Sequence, residues 1–437
     1  MITKLNFTDR TIKSYAIRKL TPKECFRLMG VRDNVIGTMQ SSNAQAAERL
    51  PDWNGKGKPE DMAVSASQQY KQAGNSIVVD VLAHIYEQLF YPAPPKPRPG
   101  MQLSLFDDLE DTLPAMPAAA DKNEEKIFLT TFSGYDSQLM AADVLREWHP
   151  DFRWTCKGWS DIDKYACQMH NLVFPQFADC ALGDITKIDW HEVKRSLDGR
   201  EVDLFTYSSP CQDISQAGKQ MGLQEGSDTR SALLWRVADA VEVLRPKYLF
   251  QENVAALVSQ KFMPDFQKWL DKLSSLGYVS RWARLNAKNY GVPQNRDRVF
   301  CISMRRDVAF DYRFPEPFEL KTRLEDVLEE EVSDRYFLKD DAVSKFLKAN
   351  DSDNALFVQF DLPPTHEAAM FLKTWLTLRM NTLNGWEMEL DELRDCIENE
   401  RDVLNSDFAS FNECHTFPCE GFEELFKENM ERKKDEK

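Results

Sequence analysis

Five short apolar runs, at 127–132, 154–159, 202–207, 248–250 and 299–304, alternate with stretches of helical character in this chain. Strand, helix, strand in repetition is the signature of a parallel, doubly wound α/β sheet. Such a sheet places its chemistry at the carboxyl ends of its strands. The residues that close each run therefore carry the most information. The third run ends in Thr206-Tyr207-Ser208-Ser209-Pro210-Cys211-Gln212, which presents one cysteine at a strand end. A loop punctuated by Gly218, Gly222 and Gly226 follows, and suits a lid that closes over a substrate. A lone cysteine is more often a small buried hydrophobe, so the other strand ends decide its meaning.

Around this core the chain divides by composition. Residues 1–90 form one segment, in which Arg18-Lys19-Leu20-Thr21-Pro22 leads into a short helix at 23–29. Threonine supplies the cap there and proline the first helical position. Residues 31–69 read as a polar loop, and Gly74-Asn75-Ser76 opens an apolar helix at 77–90. Residues 91–126 form a linker, with seven of the 21 prolines between Tyr91 and Ala120. The α/β domain occupies 127–318. Beyond it, in 319–437, polar helices are expected at 367–380, 387–404 and 422–434.

Net charge is −16, which argues at first against a nucleic-acid partner. Its distribution reverses the argument. Residues 351–437 hold 21 acidic against 9 basic side chains, a net of −12, so only −4 remains for residues 1–350. A local basic cleft is compatible with that. Nine cysteines without an even framework fit reduced thiols in a cytoplasmic setting. No apolar run is long enough to span a bilayer, so no membrane partner is expected. Cys414, His415 and Cys419 lack a fourth ligand at a usual spacing, and no metal site is expected.

Motifs along the α/β domain form an ordered set. A glycine-containing turn at Phe132–Gly134 comes first, followed by Asp161 and Asp163, Gly183-Asp184-Ile185, and Pro210-Cys211-Gln212. Glu252-Asn253-Val254 and Gln294-Asn295-Arg296-Asp297-Arg298 complete it. Any one of these alone is an ordinary cap, turn or surface charge. Together and in this order they resemble the cytosine-5 DNA methyltransferase family, over roughly 18–90 and 127–304. Two departures stand out. The Arg-Lys-Leu-Thr-Pro segment and the Gly-Asn-Ser helix normally come last in that family, so the chain resembles a circularly permuted member. The family also commonly has a second glycine where this chain has Asp136.

The resemblance implies a doubly wound, Rossmann-like sheet that binds S-adenosylmethionine, followed by a helical C-terminal segment. It implies methyl transfer to carbon 5 of a cytosine flipped out of double-stranded DNA. Cys211 would attack ring carbon 6 as a thiolate. Glu252 would hold or protonate ring nitrogen 3, which needs a carboxyl pKa raised by burial. Arg296 and Arg298 would bind the base carbonyl and a neighbouring phosphate as forked donors. Gln212 and Gln294 would contact the substrate. Phe132, Gly134, Asp161, Ile162, Asp184, Ile185, Pro210, Asn75 and Ser76 would line the cofactor pocket, with Asp161 on the ribose hydroxyls and Asp184 on the adenine amino group. RNA cytosine methylation on the same scaffold, or a non-catalytic cofactor-binding or clamp-associated adaptor, are the alternatives.

Two segments fall outside this pattern. Gln102-Leu103-Ser104-Leu105-Phe106, in the linker, resembles the short peptide by which bacterial DNA-processing proteins bind the replication sliding clamp. A patch packed on its own domain is the other reading. The acidic C-terminal segment is either a reduced target-recognition region or an accessory that binds a partner or masks the cleft.

Overall fold

A computed structural model of the protein describes residues 2–6, 10–15, 17–40, 64–92, 113–114, 124–209, 233–339, 355–360, 362–363, 365–383, 385–414, 417 and 421–435. These fall into two units, Pro22–Glu329 and the pair of segments Met1–Thr21 and Glu330–Lys437.

In the first unit, alternation builds the core. Strands β3 (Lys126–Thr131), β4 (Trp154–Ser160), β5 (Leu204–Tyr207), β6 (Tyr248–Val254), β7 (Tyr278–Asn286) and β8 (Asp297–Arg305) form one sheet in the order β4-β3-β5-β6-β8-β7. Successive side chains of a strand point to opposite faces. Phe128, Leu204, Phe250, Phe300 and Ile302 accordingly enter one core, and Ile127, Leu129, Phe205, Leu249, Val299 and Cys301 the other. Helices cover both faces, as a doubly wound, Rossmann-like sheet requires. The expectation of a wholly parallel sheet needs one correction. β3, β4, β5 and β6 are parallel, whereas β8 runs antiparallel to both β6 and β7. The chain turns straight back between β7 and β8, with no helical crossover to restore direction.

The segment at 22–90 is part of this core. Helix Val79–Phe90 buries Val79, Leu82, Ile85, Tyr86 and Leu89. Tyr86 meets Phe128 and Phe250 edge-on, at 5.9 and 6.0 Å between ring centroids. Each such large side chain contributes roughly 1.5–3 kcal/mol by leaving water. The local reading of this segment is revised in two places. The stretch expected to be loop contains helices Asp33–Met39 and Ala66–Asn75, the latter capped by Ser65, with 41–63 outside the described residues. Gly74-Asn75-Ser76 closes the second of these rather than opening the next helix.

The second unit pairs the two ends of the sequence. β1 (Ile2–Asn6) lies between β2 (Thr11–Tyr15) and β9 (Ala355–Gln359) in an antiparallel sheet. Helix His366–Thr382 places Phe371, Leu372, Trp375 and Leu376 in a core with Leu5, Ile12 and Val358. Phe411 and Phe422 from later helices extend it. Two expectations change here. Residues 1–21 belong with 330–437 and not with 22–90. The C-terminal segment, expected to be only helical, carries β9, and its middle helix is two, Leu390–Asn399 and Arg401–Cys414.

Candidate active site

The carboxyl ends of β3 and β4 form a backbone cradle. After β3 the chain takes left-handed dihedrals at Phe132 (φ 53°), Gly134 (φ 60°) and Asp136 (φ 66°). A phenylalanine in that region costs roughly 1–2 kcal/mol, and such strain concentrates at ligand-binding turns. Gly134 N–H donates to Asp161 Oδ2 at 2.8 Å, and Asp163 N–H donates to Asp161 Oδ1 at 2.8 Å. Burial raises the Asp161 pKa, while these amides and that of Ile162 pull it down. Ile162 beside it is 75% exposed, an apolar side chain held out at a strand end.

The space over this turn is open. A Cβ added at Gly134 or at Gly183 would meet nothing within 4 Å. Asp184 accepts from Thr186 N–H at 3.0 Å and from Thr186 Oγ1 at 2.8 Å, and these bonds hold its carboxyl below the usual range. Ile185, expected to line a pocket, has its side chain in the core with Trp190 and Val193. Only its backbone is available to a ligand. An exposed apolar platform, two carboxylates and uncovered backbone fit a nucleoside with an amino-acid tail, the chemistry of S-adenosylmethionine.

The end of β6 is built from charge. Glu252 is buried, and Arg298 Nε lies 3.1 Å from its Oε1. The antiparallel register sets Val254 opposite Arg298, so the two side chains meet on the diagonal. Burial pushes the Glu252 carboxyl up, against the pull of Arg298 and then Arg296. Asn253 Nδ2 donates to the Ser209 carbonyl at 3.3 Å, tying β6 to the residue two places before Cys211. Pro210, Cys211 and Gln212 lie outside the described residues, as do Gln102–Phe106, His415 and Cys419.

Two expected substrate contacts have scaffold partners. Arg296 Nη2 donates to the carbonyls of Gly74 (2.9 Å) and Ser76 (2.6 Å), fixing the turn that holds Asn75. Gln294 Nε2 donates to the Leu28 carbonyl at 2.9 Å. Lys71, which the sequence did not single out, bridges to Asp163 at 2.7 Å. Tyr135 is buried beside this turn, and burial raises its pKa. These contacts join the 22–90 segment to the loop after β4 and to the approach to β8, and only the folded chain brings their partners together.

The family described as C-5 cytosine-specific DNA methylase matches residues 2–91 and 146–382. A type II methyltransferase of Lactococcus lactis subsp. cremoris is 48% identical over 162 residues, covering 37% of this chain and 43% of that protein. A second from the same organism is 34% identical over 184 residues, 41% of this chain and 44% of that one. An orphan methyltransferase of Spiroplasma monobiae is 47% identical over 114 residues, 25% of this chain and 29% of that one. The chain thus spans less than half the length of these relatives.

Proposed function

The chain belongs to the C-5 cytosine-specific DNA methylase family, and from that premise we propose that it methylates carbon 5 of a cytosine flipped out of double-stranded DNA. The observation that carries this reading is the buried Glu252 carboxyl, with its raised pKa, paired to Arg298. S-adenosylmethionine, held by the Phe132–Gly134 turn, Asp161, Ile162 and Asp184, supplies an electrophilic methyl group.

The rest of the chemistry belongs to the side chains. The Cys211 thiolate adds to ring carbon 6 while Glu252 protonates or hydrogen-bonds nitrogen 3, so negative charge does not accumulate on the ring. Carbon 5 becomes enamine-like and accepts the methyl. Loss of the carbon 5 proton then expels the thiolate and restores the ring. Arg298 keeps Glu252 in place, and its forked donors suit the base carbonyl. The matched family is one of DNA methylases, so the RNA reading is not favoured.

Replacing Cys211 with Ser tests this most directly. Labelled methyl transfer to duplex DNA should fall by roughly a thousandfold or more, because the nucleophile is lost while the size is kept. A duplex with 5-fluorocytosine at the target should trap a covalent adduct with the native protein. Turnover that persists in Cys211→Ser would remove the covalent route.

The same reading extends to the second unit. We assign it to target recognition, in a chain whose order is circularly permuted. Supporting this, Val79–Phe90 completes a face of the catalytic sheet although it precedes β3. DNA reading needs positive charge, and within this unit it is concentrated in residues 1–21, where Lys4, Arg10, Lys13, Arg18 and Lys19 stand against Asp9 alone, while residues 351–437 carry the net of −12. Replacing Lys4, Lys13 and Lys19 with Gln should weaken duplex binding and flatten its salt dependence; an unchanged slope would remove the unit from the interface. We also propose that Gln102–Phe106 binds a bacterial sliding clamp, on its sequence alone. Leu105 and Phe106 both changed to Ala should abolish capture of the clamp, and capture that survives would end that idea. No helix among the described residues is long and apolar enough to cross a membrane; we place the protein in the cytoplasm, with the nucleoid.

A further inference from the structure

Asp136 stands where the resembling family commonly has glycine, and its left-handed backbone (φ 66°) explains why glycine would serve there. Its carboxylate explains nothing at the ligand face, because Asp136 is completely buried. What it does touch is specific. Thr130 Oγ1 donates to Asp136 Oδ2 at 2.7 Å, and Leu139 N–H donates to Oδ1 at 3.2 Å, capping helix Ser137–Trp148. His170 Nε2, also completely buried, lies 3.4 Å from Oδ2. The His170 ring stacks on Trp159, 3.9 Å between centroids.

The hydrogen bonds have a direction. Thr130 has one proton and donates it to Asp136, so its oxygen can accept from Ser133, 2.9 Å away. Ser133 Oγ in turn meets both backbone atoms of Ser160, accepting from its N–H at 3.3 Å and lying within donating distance, 3.2 Å, of its carbonyl, and Ser160 Oγ donates to the Gly183 carbonyl at 2.6 Å. All four side chains in this chain are buried. It runs through the three places assigned to the cofactor: the turn after β3, the end of β4 before Asp161, and Gly183 before Asp184. His170 sits on the helix that begins just after Asp161, Lys164–Val173. Buried polar chains of this kind polarise cooperatively and are rigid only when every member is satisfied.

We infer that Asp136 is a positioning residue that holds the three cofactor-binding loops in register through this buried hydrogen-bond chain, with the His170 ring packed beside its carboxylate. The inference rests on the methyltransferase reading of the same site. Asp136→Gly is the sharp test. Glycine adopts the same left-handed backbone without strain, so the substitution removes the carboxylate and little else.

Binding of S-adenosylhomocysteine, measured by calorimetry, should weaken roughly tenfold in Asp136→Gly, the size expected when a charged acceptor leaves buried donors unpaired. The KM for S-adenosylmethionine should rise in step, with kcat within about twofold of native. His170→Gln should shift both the same way by about threefold, and the double variant should bind no worse than Asp136→Gly alone, because contacting residues couple. Amide exchange at Gly134 in the ligand-free protein should quicken in Asp136→Gly. Native-like binding in both single variants, or a fall in kcat at unchanged affinity, would overturn the inference while leaving the methyltransferase reading intact. A native protein that does not bind S-adenosylhomocysteine would overturn both.

Discussion

The two sides of the candidate site are made of different materials. At the ends of β3 and β4, carboxylates are met by backbone amides and short hydroxyls: Asp161 by Gly134 and Asp163, Asp184 by Thr186. At the end of β6, Glu252 is met by the guanidinium of Arg298, from the neighbouring antiparallel strand. Backbone amides are fixed in charge and place. The carboxyl of Glu252, buried against arginine, is instead pulled two ways, since desolvation raises its pKa and the ion pair lowers it, with burial the larger. The first side is suited to binding and the second to proton handling. Substitutions should therefore separate, with the β6 side read in turnover and pH and the β3–β4 side read in cofactor affinity.

Glu252→Gln should show the largest effect of this kind. It keeps the shape and removes the titrating group, so kcat should fall by roughly a hundredfold to ten-thousandfold, the usual contribution of a general acid. The pH profile should change as well. Burial raises the Glu252 pKa, so the protonated form persists to higher pH than for an ordinary glutamate, and native activity that depends on it should decline as pH rises through the raised value. Glu252→Gln should lose that limb. A variant that keeps the native pH dependence would assign the proton to another group and erase the contrast between the two sides.

Asp161→Ala should come next, and in the other currency. It removes an acceptor for two backbone amides along with the contact expected for a ribose, so cofactor affinity should fall by about tenfold or more. At saturating cofactor, kcat should hold. A loss confined to kcat would show that the two sides are not separable.

The comparison also shows what can be read before folding. The apolar runs at β3, β5, β6 and β8 are short and well marked, and the ends of β4 and β6 lie beside Asp161 and Glu252; Arg298 stands instead at the start of β8, where only the motif resemblance singles it out. β7 was missed because Arg281, Trp282 and Arg284 interrupt its pattern, and at the sheet edge its burial is only partial. The direction of β8 is a property of its connection, not of its residues. The sheet of the second unit was missed for a different reason: Ile2 pairs with Gln359, at the other end of the chain, and no local signal carries that. The same holds for Asp136 with His170 and for Arg296 with Gly74 and Ser76. Each residue looks ordinary until its distant partner arrives.

Gln294 gives the smallest and most discriminating case. The family resemblance placed it on the substrate, whereas its amide donates to the Leu28 carbonyl and its nitrogen lies 3.7 Å from Met29 Sδ. If that bond is its role, Gln294→Ala removes one partly buried hydrogen bond that joins the 22–90 segment to the β8 approach. A loss of about 1 kcal/mol follows, which in a unit of this size lowers Tm by roughly 1–2 °C. The KM for duplex DNA and kcat should both stay within about twofold of native, since no contact to substrate is lost. A substrate contact predicts the reverse, a raised KM for DNA at unchanged Tm. Thermal unfolding and steady-state kinetics on the one variant therefore decide whether the residues beside Arg296 belong to the charged, substrate-facing side of the site or to the scaffold that holds it.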